Sequence, residues 1–319
     1  MKKILCVLMS CLLFVMAGCS GHSKNLKFGA ADIGGVYYSF ASTFTQLADK
    51  EIDGYTFETK TTAGSVANLR LISDGYIDLA IAQADLLSDA YNATGTFADK
   101  KYQKGYKAVA SLYTECCQIV VRKDSGITGI DDLINKTVSV GASESGSEKN
   151  AEQILKMSGI TDELINKVNM DYTEAAEKLK AGEIDAFFCT AGTRTEVIGQ
   201  LSKECDIRFI SLDDKCIDKM LSAYSLCEKY TIPAGTYNGQ DSDVTTIGVK
   251  AVLIAKQSLS DDVIKNVTKT IYEHADDFKY ATSLDISFDI NTAADGVDIP
   301  FHSGAAAYYT ERGINVLTE

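Results

Sequence analysis

Residues Gly141, Ala142, Ser143, Glu144, Ser145, Gly146 and Ser147 follow the β-branched run "TVSV" and precede the amphipathic stretch "EKNAEQILKMSG". Glycines between a strand and a helix let the backbone approach a negative group, and neighbouring hydroxyls can bond to it. Three chemistries use such a turn. A phosphate loop needs Gly-Lys-Ser/Thr at its end, but Lys149 falls inside the helix, and the dinucleotide spacing G-x-G-x-x-G is missing. A nucleophile elbow needs G-x-S-x-G, and its fifth place holds Ser145. A serine hydrolase would use Ser143 or Ser145 with a histidine; of His22, His274 and His302, the last is the better placed in sequence. The third chemistry is an uncharged cradle. Gly146 admits the ligand, Ser145 and Ser147 supply hydroxyls, and the helix N-terminus supplies N–H groups and the positive end of its dipole. Glu144 and Glu148 would oppose an anion, so they should face solvent, or Glu148 should pair with Ser145 in a capping box.

A second set of such residues lies in the first third of the chain. In "GGVYY", Gly34 and Gly35 open a helix, and Tyr37 or Tyr38 can cover a ligand. "TTAGS" puts Thr62 and Ser65 at the next helix start, with Asn68 one turn in. "QAD" puts Gln83 and Asp85 just past a strand end, where Asp85 could meet an amine. Each could serve as a cap or turn residue instead, but all fall at one edge of one sheet.

Metal and redox chemistry find little support. No C-x-x-C occurs, Cys116 and Cys117 are adjacent, and Cys189, Cys205, Cys216 and Cys227 are widely spaced, so free thiols are expected rather than zinc or a disulfide framework. No cofactor is expected. The formal charge of −13 argues against nucleic acid and anionic membrane surfaces as partners, though local dipoles still allow a small anionic ligand.

The elements that must position these residues alternate strand and helix, and 319 residues suit two domains. "LKFGA", "YTFETKT" and "YIDLAIAQ" read as strands. Helices lie between them, with Val36, Phe40, Phe44 and Leu47, then Val66, Leu69 and Ile72, at helical spacing. Residues 137–190 repeat the plan. "SDGYIDLAIAQ" and "KAGEIDAFFCT" both run helix, Gly-x-Ile-Asp, strand. The expectation is an α/β protein of two lobes with parallel sheets, whose facing C-terminal strand edges form a ligand cleft. Two long strand-like runs, "KAVASLYTECCQIVVRKDSGI" and "DVTTIGVKAVLIAKQSL", would cross between the lobes as a hinge. Residues 26–112 then form lobe 1 and 113–240 lobe 2. Residues 241–319 supply the return strand and the C-terminal helices that complete lobe 1; the helix "DDVIKNVTKTIYEHADDF" could pack on either lobe.

The start of the chain reads differently. "MKK" and an apolar run lead to "VMAGC", which looks like a bacterial lipobox. Residues 1–18 would be a lipoprotein signal peptide, Cys19 the lipidated N-terminus and residues 19–25 a tether. Met16 stands where leucine is usual, and the alternative is an ordinary secretory signal cut nearby.

The blocks "GGVYY", "GSVANLRLISDGYIDLAIAQAD", "ASLYTECCQIVVRKDSGI", "VSVGASESGSEKNAEQIL", "IDAFFCTAGT", "IPAGTYNGQDSDVTTIGVKAVLIA" and "IPFHSGAAAYYTERG" resemble the TAXI family, in order and spacing, over most of residues 26–317. Those proteins are the solute receptors of a class of TRAP transporters. The resemblance implies a type II periplasmic-binding-protein fold whose lobes close on glutamate, glutamine or a related carboxylate. It also implies delivery to an ion-driven TRAP permease in the membrane; the lipobox, which departs from members that float free in a periplasm, would hold this receptor, expected to be a monomer, at the extracytoplasmic face through Cys19. Carried over residue by residue, it implies ligand contacts from Tyr37, Ser65, Asn68, Gln83, Asp85, Ser145, Gly146 and Ser147, from Thr190, Ala191 and Gly192 of "FFCTAGT", and from Tyr237 of "AGTYNGQ". Gly35 and Thr62 join them from the glycine turns. Arg194, just after "TAGT", could reach in and would favour a dicarboxylate. Ala84 stands where the family more often has a hydroxyl residue, and Cys116-Cys117 where it often has a polar or ring residue. Beside this receptor reading stand an exported serine hydrolase and a sensory lipoprotein that feeds no transporter.

Overall fold

The computed structural model describes residues 23–99, 104–282 and 288–319. Cys19 and the signal-like segment lie outside these residues. Strand β1 (Lys24–Gly29) leads through a glycine turn into helix α1 (Val36–Glu51). Strand β2 (Tyr55–Lys60), helix α2 (Ser65–Ser73), strand β3 (Leu79–Gln83) and helix α3 (Ala84–Asn92) follow. β1 pairs parallel with both β2 and β3. β3 is buried throughout, as an apolar run inside a parallel sheet must be.

The second lobe repeats this plan with strands β5 (Thr137–Ser139), β6 (Asn166–Val168) and β7 (Ala186–Ala191), and helices α4 (Gly146–Met157) and α5 (Tyr172–Ala181) between them. β5 pairs parallel with β6 and β7, as β1 does with β2 and β3. The repeated aspartates explain why the motif recurs. The Asp78 carboxylate accepts the Lys27 N–H at 3.0 Å and its own N–H donates to the Lys27 carbonyl. Asp185 does both with Thr137, at 2.9 Å each. In each lobe the Gly-x-Ile-Asp turn therefore fastens the start of the third strand to the first. The preceding glycines, Gly75 and Gly182, take φ of 83° and 75°, where a Cβ would be strained.

Two strands join the lobes. β4 (Tyr106–Arg122) has 17 residues and β10 (Val244–Lys256) has 13, and they run antiparallel to each other. On the lobe 1 side β10 pairs with β3. On the lobe 2 side β4 pairs with β7 and with strand β8 (Ile207–Phe209), while β10 pairs with strand β9 (Cys227–Ile232). The path of the sheet is β2-β1-β3-β10-β4-β7-β5-β6, and partners change at Cys116 and Gly248. Glu115 stands beside that change, opposite Val249.

Helices α6 (Glu196–Glu204) and α7 (Asp214–Ala223) complete lobe 2. The late helix is two, α8 (Asp261–Glu273) and α9 (Ala275–Thr282), separated at His274, and both pack on α1 in lobe 1. The last helix, α10 (Ser303–Thr310), packs on α8. Phe28, Phe40, Phe44 and Phe278 form a fully buried aromatic cluster here, with Phe40 and Phe278 stacked at 4.4 Å. Burying each such ring contributes roughly 1.5–3 kcal/mol, so the C-terminal segment is part of the lobe 1 core. The six cysteines among the described residues are unpaired. No helix among those residues is long and apolar enough to cross a membrane.

Candidate ligand-binding site

The C-terminal ends of β1, β3 and β7 meet across a closed cleft beneath the hinge. Its lining includes Ala31, Asp32, Gly35, Val36 and Tyr37 after β1, then Ala63, Gly64 and Ser65 at the start of α2. Gln83 comes from β3 and Glu115 from the hinge. Lobe 2 adds Ser145, Gly146 and Ser147 at the start of α4, Tyr172 at the start of α5, and Thr190 and Ala191 from β7. The enclosed space is about 30 Å³, room for one or two waters.

Helix starts dominate these walls. The caps of α1 and α2 are Gly35 and Gly64, which have no side chain to satisfy the first-turn N–H groups. Gly64 sits at φ 123°, and a Cβ there would come within 3.3 Å of the Ser145 Cα in the opposite lobe. At α4, Ser145 caps the Glu148 N–H at 3.0 Å, and the Glu148 carboxylate takes the Glu144 N–H at 2.9 Å, one residue before a capping box would place it. Glu144 stays partly exposed but is not free in solvent. It meets Arg70 across the cleft, and its carbonyl accepts the Ala67 N–H at 3.1 Å.

Glu115 was not legible in the sequence and is the most unusual residue of the cleft. It is 3% exposed, and its carboxylate accepts the Tyr37 hydroxyl at 2.8 Å. Burial pushes its pKa up to about 8, against the hydrogen bonds from Tyr37 and Gln83 that favour the charged form. Asp32 is raised to about 6, by burial first and then by the nearby Asp171 charge. The Tyr172 hydroxyl bonds to the Thr190 carbonyl at 2.9 Å and shares a 2.6 Å hydrogen bond with Ser147 Oγ, and Ser147 Oγ accepts the Thr190 N–H. The lobe 2 wall is therefore held rigid by its own network.

This arrangement, with two similar lobes, crossed hinge strands and a polar cleft at the strand ends, is what the comparisons reflect. The family's sequence pattern matches residues 28–313. The chain belongs to the NMT1-like family. Solved structures share the fold of this NMT1-like chain. PhnD1 from Prochlorococcus marinus, in complex with methylphosphonate, is similar with a TM-score of 0.58 at 12% identity, covering 83% of this chain and 93% of that one. A binding-protein component of an ABC phosphonate transporter from Pseudomonas aeruginosa has a TM-score of 0.55 at 12% identity, covering 81% and 78%. A putative L-cystine ABC transporter protein from Listeria monocytogenes has 0.52 at 14%, covering 82% and 94%. At such identities the likeness is one of fold.

Of the residues singled out in the sequence, the NMT1-like chain brings Gly35, Tyr37, Ser65, Gln83, Ser145, Gly146, Ser147, Thr190 and Ala191 to the cleft wall. The others lie elsewhere. Asn68 is fully buried behind the wall, its amide donating to the Gly29, Ala30 and Ile81 carbonyls, and Thr62 bonds to Asn68 and Ala30. Tyr237 is buried in lobe 2, bonded to Gln118 and Thr195. Gly192 is buried beside the wall, and Arg194 is exposed on the turn after it. Asp85 is buried on α3 outside the cavity, with both carboxylate oxygens lacking a hydrogen-bond partner, and burial raises its pKa to about 6. Like Glu115, Asp32 and Tyr172 carry no signal in the sequence and join the wall only once the loops are folded.

Proposed function

We propose that this chain is an extracytoplasmic solute receptor, lipid-anchored through Cys19, that closes its lobes on a small amino acid or carboxylate and passes it to a membrane permease. The observation that carries the reading is the cleft. Four helix starts from two lobes converge on a narrow cleft directly under the two strands that hinge them. Such a site holds a charged solute by many hydrogen bonds in a desolvated space and needs no reaction to do its work. The solved structures named for phosphonate and L-cystine transport support a transport role. The TAXI-like sequence blocks favour a TRAP permease and a glutamate- or glutamine-like solute. The cleft as it stands has room only for one or two waters, so a solute of that size would hold the lobes further apart.

The hydrolase reading is weaker on geometry. Ser145 Oγ is engaged as a helix cap. His302 Nδ1 accepts the Gly304 N–H at the start of α10, and His274 bonds Asp277 and Glu51 on the outer side of lobe 1.

A thermal-shift screen on the full chain in detergent, refolded from denaturant to strip carried-over solute, tests the proposal. The panel holds amino acids, dicarboxylates, 2-oxo acids, phosphonates and sugars. A solute at 100 times its Kd should stabilise the chain by about 2.7 kcal/mol. Covalent labelling of Ser143 or Ser145 by a fluorophosphonate would overturn the receptor reading.

A further inference from the structure

We propose that the cleft selects a small zwitterion. Its ammonium group is held by Glu115 and Gln83, and its carboxylate by the remaining first-turn N–H groups of α2 and α4, those of Ser65, Val66, Gly146 and Ser147. The inference deepens the receptor reading and rests on it.

The charge of the wall is the first observation. Among the described residues it holds two acid side chains, Glu115 and Asp32, and no lysine, arginine or histidine. Each helix start offers only about half a positive charge. A dicarboxylate without an amine would bring two negative charges beside two acid side chains and offer neither of them a donor. A ligand with one ammonium group instead offers a partner to the buried carboxylate.

Gln83 is the second observation. It is 1% exposed, it lines the cavity, and its Oε1 has no hydrogen-bond partner. Its amide lies directly over Gly146, where a Cβ would fall 2.4 Å from Oε1. Gln83 and Glu115 both line the cavity, so one acceptor oxygen and one buried carboxyl group stand together. An ammonium group carries three N–H donors and no acceptor, which matches that pair. Leaving the buried Gln83 oxygen unmatched would be costly.

The third observation is position. Glu115 sits where β4 passes from lobe 1 pairing to lobe 2 pairing, and Tyr37 of lobe 1 holds its carboxylate at 2.8 Å. Asp85, the acid that the sequence suggested for an amine, lies outside the cavity.

The test uses matched pairs: glycine and acetate, L-alanine and propionate, L-glutamate and glutarate, L-glutamine and glutaramate. Each is titrated into refolded full chain by thermal shift and calorimetry. At least one amino member should bind, with its des-amino partner weakened at least tenfold. Glu115→Gln should weaken that amino member about 10- to 100-fold, the range of a lost charge-assisted bond. If Glu115→Gln unfolds non-cooperatively, Asp32→Asn supplies the same comparison from the edge of the site, with a smaller loss expected. Equal binding of both members of a pair, or binding only of a plain dicarboxylate, methylphosphonate or a sugar, overturns the zwitterion and leaves the receptor standing. Silence from every solute, in a sample that unfolds cooperatively, overturns both.

Discussion

Arg70 of α2 grips Glu144 of the opposite lobe, with Nε to Oε1 at 3.1 Å and Nη2 to Oε2 at 2.6 Å. The pair lies at the lip of the cleft, beside the Ala67 to Glu144 backbone bond. Only closed lobes can make it. Both side chains keep about a third or more of their surface exposed, so its worth is near the usual 0.2–1 kcal/mol for such pairs. Arg70→Ala should therefore weaken a closing ligand by up to about fivefold and leave apo stability within about 0.5 kcal/mol. Raising salt should shrink the wild-type advantage. Calorimetry at two ionic strengths checks this, and a large loss of apo stability would show that Arg70 serves lobe 1 itself.

Gly146 sets how closely the lobes approach. A Cβ at this position would come within 2.4 Å of the Gln83 side chain across the cleft, while the helical start itself accepts alanine. Gly146→Ala should fold with nearly wild-type stability but resist closure. Any ligand-induced rise in Tm should fall by half or more, and small-angle scattering should report a more open particle with ligand present. Unaltered closure would mean that Gln83 swings aside at little cost.

Glu115 gives stability a pH dependence whose sign is set by its raised pKa. An unfolded glutamate titrates near 4.3, whereas the buried group holds its proton up to about 8. Between those values the folded chain binds more protons than the unfolded one, so its stability falls as pH rises through the window. Glu115→Gln removes that loss and keeps an acceptor for Tyr37. The variant's apo Tm should equal wild type near pH 4.5, exceed it increasingly toward pH 8 and run parallel above. A gap that does not depend on pH would place Glu115 in a solvated setting.

Much of this architecture could be read before folding, because local rules wrote it. Gly75 and Gly182 end helices, Asp78 and Asp185 fasten strands, and apolar runs such as "LAIAQ" belong to buried parallel strands, so the two lobes and both hinge strands followed from periodicity. The nine wall residues that were anticipated sit at strand ends or helix starts, where a glycine or hydroxyl advertises itself. Asn68 and Tyr237 show the limit of that logic. A polar residue one turn into a helix, or in a glycine-rich loop, can serve the backbone behind the wall as readily as a ligand, and only the acceptors it meets decide. Glu115 failed for the opposite reason. Along "SLYTECCQIVV" it resembles an outward-facing charge on an alternating strand, and its burial arises only where α1, β3 and β7 converge on the hinge.

Tyr237 separates a supporting role from a contact with solute. Its hydroxyl donates to Gln118 Oε1 at 2.6 Å and accepts the Thr195 N–H at 3.1 Å, while Thr195 Oγ1 donates to the Gly192 carbonyl at 2.6 Å. Together these bonds fix the turn that follows Thr190 and Ala191 on the cleft wall. Tyr237→Phe leaves Gln118 and the Thr195 N–H without their partner in a buried space, which costs about 1–3 kcal/mol. The apo Tm should drop by a few degrees, and the further rise on adding a bound solute should stay as in wild type. A variant of unchanged apo Tm whose solute-induced rise disappears would instead bring the Tyr237 hydroxyl to the ligand.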